Sequence, residues 1–300
     1  MSAADFPHLL PPSVRRITRQ SLRNGSTLMG ERILAEEVAV AFSYDGTVHA
    51  ILMATPDDLE EFALGFSFTE GIIIAPTEIA ELSVVCAADG IMLRMWLTGD
   101  RSDAFAARRR RFVGPAGCGM CGLESLAEAN RAVPMVRHGL EVSRQEIEEA
   151  VVALPRRQVL NAQTRSVHAA AFWQPGHNLV LREDVGRHNA LDKLAGALLR
   201  TGRSAAAGII ILSSRISIEL VQKAGMIGAP VVVGISAPTA LAVRTAEAAG
   251  ITLAGIARND GFEVFTHPER VKGLGAGYTQ STVRALQDAA ETSGRLEAAP

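Results

Sequence analysis

The sequence has few cysteines and few aromatic residues. Only three of its 300 residues are cysteine, and aromatic residues make up 5%. Three cysteines, two of them close together, do not form the pattern of a secreted disulfide framework. Because hydrophobic residues still make up 48% of the chain, a sizeable core is available, and it must consist mainly of aliphatic side chains.

The sequence also lacks a long apolar run and a strong charge of either sign. No stretch approaches the roughly 20 apolar residues of a membrane-spanning helix. Residues 1–12 lack the basic and apolar segments of a signal peptide. The formal net charge of −2 gives the whole chain no attraction to nucleic acid or membrane. We therefore expect a cytoplasmic protein of one or two domains, with neither nucleic acid nor membrane as a partner.

Two cysteines, Cys118 and Cys121, lie in a glycine-rich loop at residues 114–122. Four glycines in nine residues favour a flexible, accessible loop over a packed strand. Residues 123–129 favour a helix, whose N-terminal dipole would stabilise a thiolate. Arginines 108–111 would add positive potential, although they also fit a solvated face. A thiol with a lowered pKa suits a nucleophile or a sulfur carrier.

The C-x-x-C spacing alone allows other interpretations. Half of a zinc site is one, but the chain holds no second C-x-x-C and no H-x-x-x-H to supply the remaining ligands. A thioredoxin-type dithiol is another, although that pair normally follows the first strand of a βαβ unit. Incidental cysteines in a turn are the third.

The first part of the chain predicts a small α+β domain at residues 27–113, after an irregular lead-in at residues 1–26. Residues 33–42 and 48–53 read as strands joined by a turn at Asp45-Gly46. Thr55 is a candidate N-cap for a helix that ends near residue 71. Residues 82–87 and 91–97 predict a second hairpin. Cys86, in that hairpin, reads as buried and inert.

Residues 123–271 predict a larger α/β domain. The capping box Ser143–Glu146 opens a helix that Pro155 is expected to end. Strands are expected within residues 164–173 and 179–181, and a helix over 190–199. The apolar runs 209–212, 231–235 and 251–256 alternate with helical segments 218–224 and 240–249, as in a buried parallel sheet. Residues 272–300 read as a partly loose tail in which 282–290 favour a helix.

Polar side chains follow the three apolar strands, where ligands bind in open α/β sheets. Arginines and helix N-termini at this position suit phosphate groups, and Asn259 or Asp260 suits a base edge. Plain helix capping is the alternative for the serine and threonine residues. The candidate binding residues are Ser213, Arg215, Ser236, Thr239, Arg258, Asn259, Asp260 and Gly261.

Residues 183–193 are dense in charged and polar groups, among them His188. A ligand-binding turn is one interpretation, and we include His188 among the candidate binding residues. The alternative is a salt-bridged turn from strand to helix, capped by Asn189. His168 lies in an apolar strand, where a histidine is more often a core residue than a functional one.

Three of these segments together resemble one known family. Residues 117–122 (GCGMCG), 183–193 (EDVGRHNALDK) and 236–239 (SAPT) occur in the same order in the formate dehydrogenase accessory sulfurtransferase family. The similarity extends from about residue 30 to about residue 271. Three long motifs in one order are specific, whereas the C-x-x-C alone is not.

The resemblance implies an activity, a substrate and partners. Such proteins take sulfur from a cysteine desulfurase and pass it to the molybdenum cofactor of formate dehydrogenase, a bis(molybdopterin guanine dinucleotide), which becomes active once sulfurated. The family pattern makes Cys118 the persulfide carrier and Cys121 its partner thiol. It also assigns cofactor contacts to a segment made up of Ile256, Ala257, Arg258, Asn259, Asp260 and Gly261.

The resemblance further implies a cytidine-deaminase-like, three-layer α/β/α fold for the larger domain, and a homodimer. Deamination itself is rejected, because no H-x-E precedes the cysteines and Pro115 is not adjacent to Cys118. The chain departs from the family at Ser214, where glycine is usual, and at Arg165, where small residues are usual. A non-catalytic chaperone that binds the molybdenum cofactor is the alternative function.

Overall fold

A computed structural model describes residues 10–111, 133–136, 139–258 and 260–274. Several sequence predictions concern residues outside these ranges. They are the loop with Cys118 and Cys121, the helix at 123–129, Asn259 and the helix at 282–290. The arginines 108–111 belong to a helix whose backbone alone is described there. None of the described helices has the length and apolar character needed to cross a membrane.

A two-stranded arm lies near the start of the described residues, so the prediction of an irregular lead-in is wrong for residues 14–26. Strands β1 (Val14–Arg23) and β2 (Ser26–Ala35) pair in antiparallel register along their whole length. Asn24 and Gly25 join them with positive φ angles of 50° and 75°. Asn-Gly is a strong sequence indication of such a tight hairpin turn. Residues 14–23 (VRRITRQSLR) lack the regular polar–apolar alternation that indicates a strand, so the pattern alone did not reveal β1.

A four-stranded sheet and two helices form the predicted small α+β domain. The sheet has the order β4-β3-β6-β5, with β3 and β6 parallel and the other neighbours antiparallel. The single predicted strand at 33–42 is instead divided between β2 and β3. The elements are β3 (Val38–Tyr44), β4 (Thr47–Ala54), α1 (Leu59–Thr69), β5 (Ile79–Ala87), β6 (Gly90–Leu97) and α2 (Gly99–Arg111).

Aromatic contacts between sheet and helix fill the core of this domain. Phe42 of β3 lies edge-on to Phe62 of α1, with ring centroids 4.9 Å apart, and 4.1 Å from Phe66. Thr55 does not cap α1, because Asp58 occupies that position and Thr55 is fully buried. Cys86 of β5 is half-buried and packs against the same core.

A six-stranded sheet with helices on both faces forms the larger domain, which confirms the predicted α/β class and three-layer arrangement. Its order is β13-β12-β11-β10-β8-β9, and the three apolar strands β10, β11 and β12 are parallel as predicted. The strands are β8 (His168–Trp173), β9 (Val180–Asp184), β10 (Ile209–Leu212), β11 (Val231–Gly234), β12 (Thr252–Arg258) and β13 (Gly261–Val264). The short strands β7 (Val142–Ser143) and β14 (Val271–Lys272) pair with each other.

Helix α3 covers one face of the sheet, and α5, α6 and α7 cover the other. The helices are α3 (Arg144–Arg157), α4 (Val159–Thr164), α5 (Arg187–Thr201), α6 (Ile218–Met226) and α7 (Ala240–Ala249). The capping box Ser143–Glu146 opens α3 as predicted. Pro155 does not end the helix as expected. It lies in the last turn, and the helix continues two residues beyond it.

The two domains join where α1 crosses α5. Gly65 and Gly196 lie at the crossing, and a Cβ on either would overlap a backbone carbonyl of the other helix, Asp192 or Glu61. Arg182 adds an ion pair with Glu61. The two domains therefore pack as one body with their helix backbones in contact.

Candidate functional site

The topology brings the predicted binding residues to one edge of the six-stranded sheet. The parallel strands β10, β11 and β12 end there. Because β8 is antiparallel to β10 and β9 is antiparallel to β8, the start of β8 and the end of β9 lie at the same edge. We call this edge the rim. It comprises His168 and residues 184–188, 213–219, 235–239, 256–258 and 260–261.

Two of the predicted hydroxyl groups support the backbone of the rim. The Ser213 hydroxyl accepts a hydrogen bond of 2.8 Å from the backbone N–H of Ala169. Thr239 caps α7 by accepting from the N–H of Ala242 at 3.3 Å. The capping interpretation therefore accounts for Thr239, whereas Ser236 is exposed and available to a ligand.

The segment after β12 has an unusual backbone. Ile256 has a φ of 52°, where a β-branched side chain is strained, and the β12–β13 register shifts between Gly255 and Arg258. Ala257 is buried, backbone included, so it shapes the segment without facing solvent. Arg258 and Asp260 are exposed. The bulge thus projects two charged side chains from the rim.

The departures from the family pattern have different structural consequences. Ser214 is buried and donates a hydrogen bond of 3.1 Å to the carbonyl of Arg215, and its φ is not positive. Serine therefore fits this position without backbone strain. Arg165 ends α4 with a φ of 60° and a ψ of 27°, a left-handed conformation that costs an arginine more than a glycine.

Helix N-termini bring a histidine and a carboxylate together at the rim. His188 Nε2 lies 3.8 Å from Glu219 Oε2, and both atoms are buried without a hydrogen bond in the described part of the chain. The Ser217 hydroxyl is buried in the same way. Burial, and then Arg187 and Lys223, lower the pKa of His188 to about 4. His188 is therefore neutral near pH 7.

Arg187 is the rim residue that the sequence analysis missed. It is half-buried at the first turn of α5, and its Nε atom is buried without a hydrogen bond. No described carboxylate forms an ion pair with it. After burial, Arg187 is the next cause of the lowered pKa of both His168 and His188, so its charge lies near both. Its place directly after a strand end, at a helix N-terminus, was the available indication.

The rest of the 183–193 segment is structural. Lys193 Nζ lies 2.7 Å from Asp184 Oδ2, with both side chains fully buried, and donates to the carbonyl of Thr55 at 2.8 Å. Asp184 also accepts from the backbone N–H of Thr55 at 3.0 Å and from Asn189 at 2.9 Å. This supports the salt-bridged interpretation, with one correction. Asn189 lies inside α5, and Gly186 holds the N-cap position.

A second buried network crosses the domain boundary. Lys223 Nζ lies 2.9 Å from Asp192 and 2.6 Å from Glu70, and Asp192 also accepts from Thr69 at 2.6 Å. Burial raises the pKa of Asp192 to about 6. Burial opposes the charge of Lys223, but Asp192 and Glu70 outweigh it and raise the pKa of Lys223 on balance.

The cysteine loop is tied to the described structure on both sides. Phe105 of α2 packs into the core of the small domain before the loop. After it, the N–H of Val136 donates to the carbonyl of Ala249 at 2.8 Å, and Val133 packs close to Gly225. Those contacts lie at the C-terminal ends of α6 and α7, opposite the rim.

No group of three or more histidine, cysteine, aspartate or glutamate side chains in the described ranges is arranged to bind a metal.

A family model and the most similar named relatives indicate the same protein family. The model of the FdhD/NarQ family matches residues 35–272. A protein from Agrobacterium fabrum named "Sulfur carrier protein FdhD" is 51% identical over 261 residues, which cover 86% of this chain and 96% of that protein. A protein of the same name from Cupriavidus necator is 42% identical over 263 residues, covering 87% and 91%.

A solved structure agrees with these matches. The crystal structure of a protein assigned as a formate dehydrogenase accessory protein, from Desulfotalea psychrophila, superposes with a TM-score of 0.67 at 26% identity. The match covers 87% of this chain and all of that one.

Proposed function

The chain belongs to the FdhD/NarQ family, and from this premise we propose that it is a sulfur carrier in the maturation of formate dehydrogenase. In this proposal it takes sulfur from a cysteine desulfurase and delivers it to bis(molybdopterin guanine dinucleotide) as a bound substrate. The relatives named as sulfur carriers, at 42–51% identity over most of the chain, support the sulfur-carrier part.

The rim is the observation that carries the cofactor-binding part. Arg187, Arg215 and Arg258 are cationic, and none of them forms an ion pair or side-chain hydrogen bond within the described ranges. The half-buried guanidinium of Arg187 acts electrostatically on Glu219 but has no carboxylate within ion-pair distance in the described ranges, and such a charge is costly to bury unless it meets an anion. Three helix N-termini add positive potential at the same edge. These features fit the diphosphate groups of the guanine nucleotide ends.

The remaining rim residues then have distinct roles. Ser236, Asp260 and Gly261 are accessible for hydrogen bonds to the ligand, whereas Ser213, Thr239 and Ala257 support the shape of the rim. Ile256 presents the bulge, and Asn259 keeps its proposed contact with the ligand. Neutral His188 offers an unpartnered ring nitrogen.

In the proposed sulfur transfer, two thiols act in turn. The Cys118 thiolate attacks the sulfane sulfur of the donor persulfide, the donor S–S bond breaks, and the donor cysteine leaves as a thiolate. Cys121 then attacks the inner sulfur of the Cys118 persulfide. A disulfide forms, and hydrosulfide is released to the cofactor. The two electrons that reduce the sulfane sulfur come from the thiols, so a cellular thiol must afterwards reduce the disulfide.

Chain length allows the cysteines to meet the rim. Val133 packs near the C-terminal end of α6, and α6 is nine residues or about 14 Å long. With the predicted helix at 123–129 spanning about 10 Å and the other four residues of 122–132 spanning about 13 Å, this segment covers up to about 23 Å. Cys121 is therefore within reach of the rim, at the other end of α6.

Persulfide formation tests the proposal. After incubation with a cysteine desulfurase and cysteine, the purified protein is expected to gain about 32 Da, one sulfur atom, as measured by mass spectrometry. Cys118→Ala is expected to abolish this gain and to leave formate dehydrogenase inactive in cells that lack the native gene. Cys86→Ala is the matched control and is expected to behave as wild type. Full formate dehydrogenase activity with Cys118→Ala would overturn the assignment.

A cofactor chaperone is the second candidate, and the unpaired arginines of the rim favour it. Such a protein would bind the nucleotide ends and deliver the cofactor without carrying sulfur. It would gain no sulfur in the same experiment, and Cys118→Ala would remain active.

We further propose that the protein acts as a homodimer in the cytoplasm, where thiols remain reduced.

A further inference from the structure

The two-stranded arm, β1 and β2, forms a sheet of its own and contacts the rest of the fold at α4. It pairs with no other strand in the described part of the chain, and its ten residue pairs give it a length of about 33 Å. A lone hairpin is at best marginally stable in water. The arm also lies almost entirely before residues 35–272, which the family model matches. The part of the chain that the family model matches therefore does not account for the presence of this hairpin.

The register divides the arm into two faces of different character. One face carries four arginines and no carboxylate, and we call it the basic face; its residues are Arg15, Ile17, Arg19, Ser21, Arg23, Ser26, Leu28, Gly30, Arg32 and Leu34. The single carboxylate of the arm, Glu31, lies on the opposite face and pairs with Arg16 at 2.9 Å. The chain as a whole has a net charge of −2, so this positive charge is local.

The basic face is also apolar and open. Leu28 is 66% exposed, and Ile17 and Leu34 are exposed between the arginines. Of its arginines, Arg15 forms an ion pair with Glu36 at 2.7 Å, whereas Arg19 and Arg23 make no ion pair or side-chain hydrogen bond with any described residue. A nucleic acid backbone would neutralise the arginines but leave the apolar groups uncovered. An acidic protein surface with apolar side chains covers both.

The position of the arm indicates which partner protein binds the basic face. Arg32 donates to the carbonyl of Thr164 at 3.4 Å, at the end of α4, four residues before His168 at the rim. The base of the arm therefore adjoins the rim, and a protein on the basic face lies beside it. Under the proposed function, on which this step depends, the acceptor enzyme must reach the rim. We infer that the basic face binds an acidic, apolar-bearing surface of formate dehydrogenase.

The test measures binding of the full-length protein to purified formate dehydrogenase apoenzyme by biolayer interferometry. Arg19→Gln/Arg23→Gln is expected to weaken binding about tenfold at low salt, and the difference is expected to narrow at high salt. Thr18→Glu/Gln20→Glu is the matched control. It changes the net charge by the same −2 on the opposite face of the same strand, and a change below about twofold is expected.

A second pair of variants tests the apolar contact. Leu28→Ser is expected to weaken binding at every salt concentration, whereas Met29→Ser, equally exposed on the opposite face, is expected to have little effect. Equal effects of the two members of either pair would overturn the inference. So would an Arg19/Arg23 effect seen with cysteine desulfurase, a DNA duplex or anionic vesicles in place of formate dehydrogenase. The mass gain at Cys118 does not depend on the arm, so failure here leaves the sulfur-carrier proposal standing.

Discussion

Replacing Lys193 with methionine is expected to uncouple the two domains. Lys193 Nζ lies 2.7 Å from Asp184, with both side chains fully buried, and it donates to the carbonyl of Thr55 in the small domain. Methionine fills a similar volume but leaves the Asp184 carboxylate without its counter-ion. Removing one partner of a buried ion pair costs about 3–5 kcal/mol. That is a large share of the roughly 5–15 kcal/mol by which a folded protein is stable.

The two tryptophans allow each domain to be followed separately. Trp96 lies on β6 of the small sheet, and Trp173 lies on β8 of the large one. Urea unfolding of Trp96→Phe and Trp173→Phe backgrounds would give one probe per domain. With Lys193 present, both probes are expected to report the same midpoint. With Lys193→Met, the midpoints are expected to fall and to separate.

A surface ion pair provides the control. Lys272 pairs with Glu141 at 2.6 Å, but both side chains are more than half exposed. Lys272→Met is therefore expected to leave both midpoints unchanged. Wild-type midpoints in Lys193→Met, or a shared fall without separation, would refute the view that this buried pair couples the domains.

Three further predictions follow from the helices and the rim. Gly65→Ala is expected to lower the free energy of unfolding by about 3 kcal/mol, since its Cβ meets backbone, whereas Gly99→Ala meets open space and changes it by less than about 1 kcal/mol. Because burial lowers the pKa of His188 from 6.5 to about 4, the unfolded chain binds this proton more readily in that range. The contribution of His188 to stability therefore decreases as the pH is lowered from 6.5 to 4, and His188→Gln is expected to remove up to about 2 kcal/mol of that decrease at pH 5, discounted for solvent screening. Buried Asp192, whose pKa is raised to about 6, acts in the opposite direction and is the same in both proteins. Arg187→Gln is expected to weaken guanosine diphosphate binding about tenfold by calorimetry, with Arg200→Gln at the far end of α5 as control.

Each of these three has a clear contrary result. Equal destabilisation by Gly65→Ala and Gly99→Ala would mean that the helix crossing tolerates a methyl group. An identical pH profile for wild type and His188→Gln would place the acid sensitivity elsewhere. Unchanged nucleotide affinity in Arg187→Gln would remove the unpaired guanidinium from the proposed binding site.

Local and periodic features of the sequence predicted most of the larger domain. The unbroken apolar runs gave β10, β11 and β12, because strands buried on both faces require apolar residues at every position. The capping box at Ser143 gave the start of α3, since both of its hydrogen bonds lie within four residues. Asp45-Gly46 likewise gave the first turn of the small sheet.

Long-range contacts explain what the sequence did not reveal. Thr55 resembles an N-cap locally, but Asp184 and Lys193, more than 120 residues away, hold its backbone in the core. Asn189 resembles a cap for the same reason, yet its amide bonds to Asp184 and Met53. Arg187 became distinctive only when the fold showed its guanidinium half-buried, with no carboxylate of the described ranges at ion-pair distance. Charge and burial of this kind depend on tertiary structure, which local spacing does not encode.

The glycine contact between α1 and α5, with two buried ionic networks across the same boundary, also limits how the protein can move. In hinge closure, two domains swing together around a ligand. Such a motion would separate helix backbones that are in contact, and it would leave buried charged groups without their ionic partners. We therefore expect the distance between the two domains to stay the same throughout a reaction cycle. Any displacement that carries sulfur to its acceptor must occur in a segment smaller than a domain, and spectroscopic labels placed on the two sheets would report one separation in every state.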